Sequence, residues 1–155
     1  MTIVKTSAAF VGMFVLVGIA TIILGVAMTV PVVLTFDLND ETIVGWIGLV
    51  AIMVFAAPLL EEWSKMFWWL KSRQLGWFYI GFFSGVECVM YLGGYSPETH
   101  VMTFQVFVLL RLMAVAMHFT TPFFYGKKNG YWKAVIFHGS YNGIGLAATS
   151  ALFLL

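Results

Sequence analysis

Charge is the scarcest property of this chain. Eight Lys and Arg and seven Asp and Glu make up 10% of 155 residues, against 61% hydrophobic side chains. Soluble domains carry about 25% charged residues, so a globule in water is excluded and an integral membrane protein is expected. A net charge of +1 gives no electrostatic footprint for nucleic acid, and no such partner is expected. Cysteine is nearly absent as well. Cys88 stands alone, which excludes an internal disulfide, and it reads as a small buried hydrophobe. The length allows one membrane domain over residues 1–155 and no extramembrane domain.

What is present is apolar sequence in long runs. A spanning helix needs about 20 mostly apolar residues. Five segments qualify, at about 8–34, 42–70, 77–95, 101–125 and 132–155, so the expected fold is all-α, a polytopic bundle of five transmembrane helices. The first run, Ala8 to Val30, exceeds the ~7–15-residue core of a signal peptide and is expected to be retained as a membrane helix. Asp37, Asp40 and Glu41 fall in the first loop. Lys71 to Gly76 breaks the second and third helices apart, and a turn around Ser96 to His100 follows, with His100 solvated beside Glu98. Lys and Arg in short loops mark the cytoplasmic side. Here Lys5, then Lys71 and Arg73, then Lys127, Lys128 and Lys133 alternate with acidic loops, which places the N-terminus in the cytoplasm. Trp46, Trp68, Trp69, Trp77 and Trp132 lie near helix ends, where indoles favour the interface.

Against this background a few polar residues are out of place. Glu61, Glu62, Lys65, Glu87 and Arg111 lie inside apolar runs, joined by His118, His138 and Asn142. An ionisable group at bilayer depth costs ~2.5–3.5 kcal/mol even on insertion scales, so these should face one another. At ~1.5 Å per residue, four helices place them in one layer of the cytoplasmic half, with Arg111 above it. Glu61 and Lys65, and His138 and Asn142, are four apart and share a face. Arg111 and His118, seven apart, do so too. Arg111 is expected to anchor a carboxylate or the carbonyls of a helix end. Gly81–Gly85 and Gly139–Gly143 have the small-xxx-small form of close helix contacts, and Gly145 adds a further small surface.

The chemistry of this set is hydrolytic. Adjacent carboxylates in low dielectric cannot both ionise cheaply, so the two should titrate apart. Lys65 would hold one as an anion, and the other would act as general base on water with a histidine as proton partner. His138 and Asn142 offer two donors to a developing oxyanion. No Ser or Cys nucleophile is needed.

At these positions the chain resembles the glutamate-dependent intramembrane proteases, the superfamily of CAAX prenyl-protein endopeptidases, bacteriocin-immunity (Abi) proteins and PrsW proteases. The motifs are Glu61-Glu62-Trp-Ser-Lys65, Phe83-Ser-Gly-Val-Glu87, a histidine at His118, and His138-Gly-Ser-Tyr-Asn142, in order on successive helices. They span about half the chain. Lys65 and Glu87 make the likeness closest to the PrsW branch. The resemblance implies Glu61 as the residue that activates water, Glu62 held by Lys65, and His138 and Asn142 as the oxyanion hole. Glu87 stands where the CAAX branch has the histidine that shares the water, so His118 or Glu87 supplies that role. The expected activity is endopeptidase cleavage of a membrane-associated peptide in a prokaryotic plasma membrane, among membrane lipids and with no cofactor or metal. The alternatives are a non-catalytic subunit of this fold within a membrane complex, a bis-histidine haem protein using His118 and His138, and a Glu/His metal site.

Overall fold

The computed structural model describes residues 3–36, 38–97 and 103–153, and among these there is no strand. Asp37, Glu98, His100 and the far end of the last expected helix lie outside the described residues. Helix α1 spans Ile3–Phe36 and carries Pro31 within it. Thr35 Oγ1 donates to Pro31 O at 2.7 Å in its last turn. Helix α2 runs Glu41–Lys71. Asp40 caps it, its Oδ1 accepting from Thr42 N at 2.8 Å and Ile43 N at 3.1 Å. Ser72 alone, in extended backbone, separates α2 from α3 (Arg73–Gly93), so the break expected over Lys71 to Gly76 narrows to one residue. Helix α4 covers Phe104–Tyr125, and α5 covers Gly130–Phe153.

Four of these helices, α1 to α4, are long and apolar enough to cross a membrane, where five were expected. The fifth is long enough but too polar, because His138, Ser140, Tyr141 and Asn142 and its glycines dilute its apolar run. The molecule is inverted relative to a soluble protein. Ile23, Val89, Ile136 and Ile144 are exposed, while Glu62, Lys65, His118 and His138 are buried.

Two prolines shape the centre. In α2, residues Ala51–Ala56 form a π-helical segment, and the Ala57 N–H reaches back five residues to Ile52 O. In that register the next donor, for Met53 O, would be Pro58, which has no N–H. Asn142 supplies it instead: its Nδ2 donates to Met53 O at 2.8 Å. Gly139 sits beside the same segment, and a Cβ there would lie 2.6 Å from Val54 O. Glycine is therefore required for α5 to approach. In α4, Pro122 likewise leaves His118 O without its helical donor, and Thr121 Oγ1 donates to it at 3.1 Å.

The other expected glycine contacts are looser. A Cβ at Gly81 would meet only Phe119 at 3.8 Å, and Gly85 and Gly145 face open space. Trp68, near a helix end as expected, does not face outward. It is buried in an aromatic core with Phe10, Tyr79 and Phe83, its ring centroid 4.9 Å from that of Phe10. This core ties α1 to α2 and α3 and fixes the faces that carry the polar residues.

Candidate active site

The half of α2 after the π segment packs against α1, α3 and α5, and its inward face carries Glu61, Glu62 and Lys65. Glu62 is fully buried and held three ways. Its Oε1 accepts from Lys65 Nζ at 2.8 Å and pairs with His138 Nδ1 at 2.9 Å. Its Oε2 accepts from Tyr125 OH at 2.6 Å. Lys65 Nζ also lies 2.6 Å from His118 Nδ1 and 3.6 Å from Glu61 Oε2. His118 Nε2 lies 2.6 Å from Glu87 Oε2. One continuous chain thus runs Glu87–His118–Lys65–Glu62–His138 across four helices.

The chain dictates proton positions. An ammonium on Lys65 donates to His118 Nδ1, so the imidazole proton sits on Nε2 and points to Glu87. Glu62, already an acceptor, takes the Nδ1 proton of His138. The Nε2 lone pair of His138 then faces Glu61 Oε2 at 3.8 Å. That oxygen is buried and has no hydrogen-bond partner. Two acceptors facing each other across this gap call for a proton donor between them.

All the sequence-selected residues enter this network or line its cavity, Arg111 and Asn142 by lining the cavity alone. Asn142 lines the cavity, and one of the two N–H donors on its Nδ2 is engaged by Met53 O. His138 Nδ1 is engaged by Glu62 in the same way. Arg111 has no carboxylate within ion-pair distance among the described residues. Its guanidinium lies 4.2 Å from the Tyr91 ring and 5.5 Å from that of Phe107. The expected anchoring of a carboxylate is replaced by stacking on aromatic faces. Sequence reasoning missed Tyr125, although a signal existed. Arg111, His118 and Tyr125 are spaced by seven and so return to one face of α4. It also missed Tyr131, whose OH donates to Leu59 O at 2.8 Å next to the pair.

Two cavities meet at the site. One, of about 410 Å³, opens between α1, the π segment and α3 and is mostly apolar. The other, of about 300 Å³, lies between α2, α3, α4 and α5. Glu61, Glu87 and Tyr91 line both.

Ligand atoms of Glu61, His118 and His138 come within 4.8 Å of one another. The set suits a cation poorly, because with Lys65 at Nδ1 and a proton at Nε2 neither nitrogen of His118 has a lone pair to give. A haem fits no better. The His118 and His138 rings pack edge to face with centroids 5.0 Å apart, and a porphyrin between them would have to part them.

No protein-family model, characterised protein or solved structure matches this chain at a significant level.

Proposed function

We propose that the protein is a multi-pass membrane hydrolase that cuts a membrane peptide with water activated by Glu61. One observation carries the reading: Glu61 Oε2 is buried with no hydrogen-bond partner, 3.8 Å from the His138 Nε2 lone pair, on a side chain where two cavities share a wall. Water at that point donates one proton to each acceptor. Glu61 takes a proton as the water oxygen bonds to the scissile carbonyl carbon, and that proton passes to the leaving nitrogen as the C–N bond breaks. With its Nδ1–H committed to Glu62, His138 orients the water, and this replaces the oxyanion role first expected of it. Glu62 holds His138 and Lys65 in place and touches no reacting atom. The four-motif likeness to glutamate-dependent intramembrane proteases supports the same assignment, and the loop charges support a cytoplasmic N-terminus.

The test is cleavage of reporter membrane peptides by protein in liposomes. Glu61→Gln is nearly isosteric and is expected to lower turnover by ~10²–10⁴-fold with the fold retained. Unchanged cleavage in Glu61→Gln removes the glutamate mechanism, and loss of activity with chelator assigns the water to a metal. Full biological function of Glu61→Gln within a stable membrane complex assigns the protein as a non-catalytic subunit.

A further inference from the structure

Arg111 is a half-buried charge within the apolar helices that the hydrolytic chain leaves unused. It lies seven residues into α4, roughly 10 Å from the first residue of that helix at 1.5 Å per residue. Its Nε is buried and has no hydrogen-bond partner. Stacking on Tyr91 and Phe107 contributes about 0.5–2 kcal/mol, and it leaves Nε without a partner. Arg111 lines the same 300 Å³ cavity as Glu61, His138 and Asn142. A second space of about 10 Å³, the size of one water, joins it to Glu87 and His118. A guanidinium that stacks on aromatic rings, lines a cavity and has no carboxylate partner among the described residues can take a planar carboxylate through two parallel N–H···O bonds.

We propose that Arg111 is a specificity residue that binds a carboxylate of the substrate peptide. That carboxylate is the free terminus or an Asp or Glu side chain, held at one end of the cavity while the scissile carbonyl lies at Glu61. The proposal rests on the reading of this cavity as a substrate site. A lipid phosphate is the poorer occupant, because Arg111 lies two turns in from the first residue of α4 and lines the cavity that holds Glu61.

The experiment reads binding and leaves cleavage aside. Three versions of one apolar peptide are titrated against Glu61→Gln protein by tryptophan fluorescence: one Glu with an amidated end, Gln with an amidated end, and Gln with a free carboxylate. A carboxylate-bearing peptide should bind about tenfold more tightly than the neutral one, as expected for a hydrogen bond to a charged group. Whichever carboxylate gives the gain names its source. Arg111→Gln should abolish the gain and Arg111→Lys should keep part of it. A purely structural role of Arg111 would instead weaken all three peptides alike.

Equal binding of the three peptides to Arg111-containing protein overturns the proposal without any variant at 111. A preference that survives Arg111→Gln also overturns it. So does Arg111-dependent association with phosphatidylglycerol vesicles in the absence of a peptide preference. Cleavage of the same peptides by the unaltered protein tests the role of Glu61 separately, so the two readings can fail independently.

Discussion

Glu62 has more donors than any other acid in the site, and they are not equivalent. Tyr125 serves Glu62 and also lies 3.4 Å from Thr121 Oγ1. Removing its hydroxyl leaves Lys65 and His138 on the carboxylate. Tyr125→Phe should cost about 1.5–3 kcal/mol, the range for a hydrogen bond to a charged group, and should keep the fold. Lys65 serves Glu62, His118 and Glu61 together. Lys65→Met strands buried carboxylates without a counter-charge, and breaking such a pair costs about 3–5 kcal/mol. Denaturant unfolding in detergent should rank the two in that order. An equal loss would mean that Lys65 is not the charge that balances the site.

The elements meet where regular helix fails. Pro58 removes a donor, the π segment shifts the register, and Asn142 fills the carbonyl left open at Met53. Gly139 makes that contact possible. Gly139→Ala should destabilise the protein by about 1–3 kcal/mol, the cost of overpacking, because its Cβ would press on Val54 O. Gly85→Ala, which faces open space, should be neutral or slightly stabilising. Thermal unfolding of the two variants in one detergent checks the contrast, and equal losses would contradict it. The two glycine pairs look alike in sequence, and only a packed partner tells them apart. The helices were legible because long apolar runs can do little else, and the polar set was legible because each member interrupts such a run. The π segment was not, since no residue in Ala51–Ala56 announces it and its cause, Pro58, lies beyond it. Asn142 was correctly drawn inward by its spacing from His138. One of its two N–H donors, however, goes to a carbonyl that regular α-helix would have satisfied.

At the scale of the whole molecule, polarity is turned inside out. Of the polar residues that make α5 too hydrophilic to qualify as a span, His138, Tyr141 and Asn142 line the cavity, while Ser140 is exposed. The outward residues Ile136 and Ile144 of α5 remain apolar. A helix of this kind can sit in a bilayer only with its neighbours, because its polar groups need partners that lipid does not offer. Loop charge then decides orientation. Asp40 precedes α2, and Lys127 follows α4, so three helices lie between them and the two should be on opposite sides. Positive residues favour the cytoplasm, which predicts Lys127 inside and Asp40 outside. In a Cys88→Ser background, Asp40→Cys should react with a membrane-impermeant maleimide on intact cells, and Lys127→Cys only after permeabilisation. Reaction at Lys127→Cys but not at Asp40→Cys would reverse the orientation. Reaction at both on intact cells would show that one of α2, α3 and α4 does not cross, and the cavity, built from all three with α5, would then have to open to the aqueous phase.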